Sequence, residues 1–201
     1  PCLHPPGVQA SQAKTTAHQP LGRIGSHSVC AEPSGTSVTP GLHIVTGAVN
    51  AGKTARMKEL YCQTPSADGF LSEKVFSGGV FLGYRLVRLR SGEGRLLALT
   101  KENLRGQYRE ACRLGPFIFS QKAFSFGIRG LLSLYRDDTV TAIFLDEAGP
   151  LELGGLGFAR ILPILLYSRK DIYLTVRRAC LEQFLIEFDI GEYELISVPD
   201  L

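Results

Sequence analysis

Residues His43 to Leu60, HIVTGAVNAGKTARMKEL, constrain what this chain can fold into more than any other stretch. A short apolar run enters a glycine-bounded loop, and a Lys-Thr pair opens a run of helix-forming residues. Within it, Gly47 to Thr54 fits GxxxxGK[ST], the Walker A phosphate loop. The spacing follows from the chemistry. A loop wrapped around a polyphosphate must aim several backbone N–H groups inward, and glycine removes side chains that would block the approach. Gly47, Ala48, Val49, Asn50, Ala51 and Gly52 form the loop, and Ala55, at the start of the helix, is expected to belong to the nucleotide-binding set with them. Lys53 places an ammonium on the β- and γ-phosphates, and Thr54 offers a hydroxyl to Mg²⁺. The helix start adds unpaired N–H groups and the positive end of its dipole. Leu42–Val45 reads as a buried strand and Ala55–Tyr61 as a helix, which is the context the motif requires.

The chain has 201 residues, 44% of them hydrophobic, and a net charge of +3. That length suits one α/β domain with an extra segment. The charge is too small to indicate nucleic acid. The longest apolar run, ILPILLY at 161–167, falls short of a membrane span, and no secretory signal is expected. Cys2, Cys30, Cys62, Cys112 and Cys180 are scattered and never spaced as CxxC, so a reducing cytoplasm is the expected setting.

Residues 1–40 are rich in Pro, Ser, Thr, Gln and Gly and predict a disordered tail or linker. His4, His18 and His27 lack close ligand spacing. A first residue of proline leaves room for a fused or partner domain beyond residues 1–40. The P-loop domain is expected over 41–201. After the first helix, TPSADG at 64–69 reads as a turn. Strands at Phe70–Phe76, Val80–Leu89 and Arg95–Thr100, joined by short Gly/Ser loops, then predict an antiparallel insertion. Lys101–Arg113 reads as loop or short helix. Eight basic residues against three acids between Arg85 and Arg113 read first as a solvated face and second as a polyanion-attracting one. Phe117–Ser120 predicts a strand and Ala123–Tyr135 a helix interrupted by Gly127 and Gly130. Val140–Leu145, Ile172–Val176 and Tyr193–Val198 predict strands. Phe158–Tyr167 and Ala179–Glu187 predict helices, with Pro163 kinking the former or delaying its start. The acid-rich final residues read as solvated surface. Strands alternating with helices indicate an α/β fold with a mostly parallel sheet covered on both faces.

A phosphate loop of this kind needs a metal-holding carboxylate after an apolar strand adjacent to its own. AIFLDEAG at 142–149 is the best candidate. Asp146 would hold Mg²⁺ as the Walker B acid does. Glu147, one residue further on, is the candidate general base or water-positioner.

DEAGPLEL at 146–153 resembles the DE-x-GP-x-EL signature of the small P-loop nucleoside-triphosphatases, the family that includes the cancer-related and thermophile enzymes. Gly69-Phe70 with Glu73, Gly83-Tyr84 and Leu114-Gly115 resemble that family's other landmarks in the same order. The resemblance implies a RecA-like fold and Mg²⁺-dependent hydrolysis of ATP or GTP with loose base selectivity. It implies phosphate binding by Gly47–Thr54, metal binding by Thr54 and Asp146, water activation by Glu147, and a structural role for Pro150 and Glu152. Arg177-Arg178 stands where members often carry His-Arg, and Arg177 is a candidate nucleotide contact or a surface residue. Asn50 and Ala55 depart from the family pattern without removing a catalytic group. Two further readings stay open: a nucleotide or small-molecule kinase on the same scaffold, and a non-catalytic nucleotide-gated module. A regulatory GTPase is disfavoured because Asn-Lys-x-Asp is absent.

Overall fold

Residues 41–104 and 109–199 are described in the computed structural model, Glu147 by its backbone alone. The tail or linker expected over 1–40 lies outside the described residues. In chain order the strands are β1 (Leu42–Gly47), β2 (Ala67–Ser77), β3 (Val80–Arg88), β4 (Gly94–Thr100), β5 (Glu110–Leu114), β6 (Phe117–Ser120), β7 (Ala142–Ala148), β8 (Asp171–Arg177) and β9 (Glu194–Ser197). The helices are α1 (Lys53–Gln63), α2 (Gln121–Arg136), α3 (Pro150–Leu153), α4 (Leu162–Leu166) and α5 (Leu181–Glu187).

One sheet runs β5-β6-β4-β3-β2-β7-β8-β1-β9. Strands β2, β7, β8, β1 and β9 pair in parallel, while β3, β4, β6 and β5 extend the β2 edge through antiparallel pairings. Only β3 and β6 run against the rest, so the sheet is mostly parallel with the expected antiparallel insertion after α1.

Alternation along the strands divides the core by face. Val45, Leu71, Ala142 and Phe144 join Met57 of α1 on one side. Ile44, Phe70, Ile143 and Leu145 join Leu131 of α2, Leu165 of α4 and Phe184 of α5 on the other. Helix α1 therefore covers one face and the later helices cover the opposite one, as a parallel sheet requires.

Several local expectations change. β2 begins at Ala67, inside the stretch that reads as a turn. Asp68 is fully buried there because its carboxylate accepts from Arg88 Nε at 2.8 Å and from the backbone N–H groups of Gly69 and Arg90. Long-range partners thus hold a turn-forming residue in a strand. The segment Lys101–Arg113 carries a 3-10 turn, Lys101–Asn103, and then enters edge strand β5, whose EACRL lacks the β-branched signature. Pro163 sits in the first turn of α4, so the helix starts late instead of kinking. Helix α2 tolerates Gly130 because a Cβ there would lie 2.3 Å from the Phe70 ring. Cys62, Cys112 and Cys180 are free thiols. No helix among the described residues is long and apolar enough to cross a membrane.

Gly69 is required by sterics. A Cβ there would stand 2.1 Å from the Phe144 carbonyl oxygen across the β2–β7 pairing. Gly69→Ala is expected to cost about 3 kcal/mol of stability or more, because the clash is with backbone that cannot rotate away. Denaturant unfolding checks this; a midpoint equal to the wild type's would disprove the steric requirement.

Candidate active site

The loop between β1 and α1 is shaped by two residues with positive φ, Asn50 at 67° and Gly52 at 98°. Asparagine enters this region more readily than most side chains, which explains how the loop accommodates Asn50. Gly52 immediately precedes α1 and turns the backbone into the helix. Gly47 serves packing, since a Cβ there would meet the Val198 carbonyl at 3.1 Å and Ala51 at 3.3 Å. Ala51 is buried beneath the loop, whereas Ala48, Val49 and Asn50 are exposed. Ala55 lies on the exposed side of the first turn of α1.

Lys53 Nζ donates to the carbonyls of Gly47 at 3.1 Å and Ala48 at 2.7 Å, so its ammonium lies folded over the loop. Thr54 Oγ1 donates to Asp146 Oδ2 at 2.6 Å. Those two residues are 92 positions apart in sequence and meet at the floor of a cavity of about 450 Å³. Val49, Asn50, Gly52, Lys53, Thr54, Asp146 and Arg177 line it. Lys58, Ser72, Glu73, Lys74 and Tyr84 complete the wall. Among these described residues, Lys53, Lys58, Lys74 and Arg177 face two carboxylates, Glu73 and Asp146. The excess of positive charge suits a polyphosphate.

The expectation that the Asp146 strand adjoins the strand of the loop does not hold. Strand β8 pairs with β1 on one side and β7 on the other, so it stands between them. Strand β8 supplies a residue that sequence reasoning missed. Thr175 of β8, fully buried, donates its hydroxyl to Asp146 Oδ1 at 2.7 Å. The Ser72 backbone N–H donates to Oδ2 at 3.2 Å. With both oxygens bonded and 1% of its surface exposed, Asp146 is a fixed carboxylate. Burial pushes its pKa up, opposed by the hydroxyls of Thr54 and Thr175, the Ser72 N–H and the charge of Lys53.

Arg177 ends β8 in register with Gly47 and stands on the cavity wall, while Arg178 is exposed. Glu147 follows Asp146 in β7. Glu152 is buried and accepts from the backbone N–H groups of Gly149 at 2.9 Å and Phe158 at 3.1 Å, clamping the Gly149-Pro150 turn. Lys58, also missed, donates to Glu73 at 2.6 Å. Its signal was present in the sequence, since Thr54 and Lys58 are four residues apart and share a helix face. For Thr175 the signal was a hydroxyl residue inside an otherwise apolar strand.

Thr54 Oγ1 and Asp146 Oδ2 are hard oxygen donors converging on one point beside the cavity. Magnesium is held through one or two such protein groups together with substrate phosphates, and this donor set fits it.

The NTPase family model matches residues 43–198 of this chain. Among curated proteins, the nucleoside-triphosphatase THEP1 of Thermotoga petrophila is 28% identical over 137 residues, covering 68% of this chain and 72% of that protein. Its namesake from Archaeoglobus fulgidus is 28% identical over 152 residues, covering 73% and 85%. The crystal structure of THEP1 from Aquifex aeolicus superposes with a TM-score of 0.62 at 20% identity, over 78% of this chain and 89% of that one. The solution structure of a human cancer-related nucleoside triphosphatase gives 0.57 at 22% identity, over 79% and 89%. These two establish likeness of fold. A family match spanning the phosphate loop, the Asp146 strand and the last strand of the sheet leads to one conclusion: this chain belongs to the NTPase family of P-loop nucleoside-triphosphatases.

Proposed function

We propose that the chain hydrolyses nucleoside triphosphates, ATP and GTP among them, to diphosphate and phosphate in a Mg²⁺-dependent reaction. The observation that carries this reading is the 2.6 Å contact between Thr54 and Asp146 under the phosphate loop. It brings the two oxygen donors and Lys53 to one cavity. On binding, Lys53 exchanges the carbonyls of Gly47 and Ala48 for phosphate oxygens and offsets their negative charge. Thr54 and Asp146 would hold Mg²⁺, which supplies charge neutralisation at the phosphates when bound. Arg177 supports the phosphate chain from the wall. Glu147 accepts the proton of the attacking water as the new phosphorus–oxygen bond forms and the bond to the diphosphate leaving group breaks. Broad base selectivity is supported by a site built around phosphate-directed groups.

Phosphate release from ATP and GTP tests this, with and without EDTA, with and without candidate acceptors, and in Glu147→Gln. The expected result is acceptor-independent release that needs Mg²⁺ and falls about 100-fold in the variant, at the scale of lost general-base catalysis. Release that strictly requires an acceptor would show a kinase instead.

A further inference from the structure

We propose that Ser72 is a positioning residue for the hydrolytic water, an inference that rests on the hydrolytic reading above. Among the described residues, two buried hydroxyls lack a hydrogen-bond partner, those of Thr46 and Ser72, and Ser72 is the one on the cavity wall. It lies within β2, opposite Leu86 of β3 and two residues beyond the β2–β7 pairing, and only 5% of the residue's surface is exposed. A hydroxyl buried without a partner is costly, so a polar ligand belongs there.

The space around it indicates what that ligand is. Behind the phosphate cavity lies a second chamber of about 30 Å³. Ser72, Asp146 and Arg177 line both spaces, and therefore mark where they meet. The rest of the small chamber is mainly apolar, with Leu97, Phe119, Phe124 and Phe158 in its wall. Its volume suits a single water, which needs polar partners as well as room. Ser72 Oγ and the polar atoms at the junction provide them.

Asp146 accepts from Thr54 and the Ser72 N–H on Oδ2 and from Thr175 on Oδ1, which leaves one acceptor site on Oδ1 at the junction. The same Ser72 N–H bond ties the backbone of β2 to the metal-holding carboxylate. The Ser72 hydroxyl is thereby fixed at the edge of the phosphate site while retaining its own capacity to accept one hydrogen bond and donate another. A water that gives one hydrogen to Ser72 Oγ still has its second proton for the base and a lone pair for phosphorus. Ser72 takes no proton and forms no bond to phosphorus. It orients the nucleophile.

Steady-state phosphate release and fluorescent-nucleotide binding by the full chain test the role in Ser72→Ala and Ser72→Thr. Ser72→Ala should lower kcat about 10- to 100-fold, the scale of misplacing a reactant by an ångström, with KM and nucleotide affinity unchanged. Ser72→Thr, which keeps the hydroxyl, should recover most of kcat. Should Ser72→Ala fail to fold, Ser72→Cys, similar in size and weak in hydrogen bonding, carries the same expectation. Wild-type kcat in Ser72→Ala, or equal loss in Ser72→Thr, would overturn the positioning role while leaving hydrolysis intact. A wild-type chain that releases no phosphate would overturn the hydrolytic reading, and this inference with it.

Discussion

Replacing Lys53 with alanine is expected to lower kcat/KM about 10⁴-fold, from two contributions that act at different stages. A charge-assisted hydrogen bond to phosphate is worth about 1.5–3 kcal/mol in binding, or roughly 10- to 100-fold. Charge stabilisation in the transition state adds about 10²–10³-fold in kcat. The fold should be unaffected, because Lys53 is only half-buried and its ammonium donates to the loop carbonyls of Gly47 and Ala48. Nucleotide titration and phosphate release, read beside a melting curve, check all three statements. A variant with unchanged melting and unchanged turnover would remove Lys53 from the site.

Asp146→Asn is expected to separate stability from function. Turnover should fall about 10³-fold, since a neutral amide holds Mg²⁺ poorly and weakens charge neutralisation at the phosphates. Stability should move the other way. Burial raises the Asp146 pKa above the ordinary carboxylate value. Between the unfolded value and that raised one, the folded protein binds more protons than the unfolded chain. Stability therefore falls as pH rises through this window, and the cost is fully present above it. Asparagine carries no such cost. The nucleotide-free variant should melt no lower than the wild type at neutral pH, and its advantage should shrink as pH falls toward about 4, near the unfolded carboxylate value. Thermal melts across pH check the sign. A variant much less stable than wild type at neutral pH would show that the three hydrogen bonds outweigh desolvation. Such an outcome fits a carboxylate whose role is structural, whereas the expected one fits a functional group retained at a cost in stability.

Much of the candidate site's geometry was legible in sequence because the phosphate-loop motif is a local pattern. Gly52 supplies the positive φ at the entry to α1, and Lys53 and Thr54 follow in the same turn. Asp146 was legible for a similar reason, as the carboxylate ending a strongly apolar strand. Thr175 and Ser72 were not. A hydroxyl in an apolar strand and a serine between Phe70 and Glu73 assign no role by themselves, and each matters only because β8 and β2 lie against β7. Lys58 occupies the middle ground. Its helical spacing from Thr54 was readable, but its pairing with Glu73 depends on α1 packing against β2.

The same division holds for the fold. Apolar alternation and glycine-marked turns in the sequence determined the strands on either side of α1, the antiparallel insertion and the two covered faces. Tertiary structure decided that Asp68 belongs to a strand, that EACRL becomes a paired edge, and that β8 enters between β1 and β7. Periodicity and turn chemistry act over a few residues, so a sequence displays them directly. Strand order depends on which distant surfaces bury one another, and on which buried polar groups then find partners. For this chain, the phosphate loop belongs to the first kind of information. The carboxylate network that completes the loop belongs to the second.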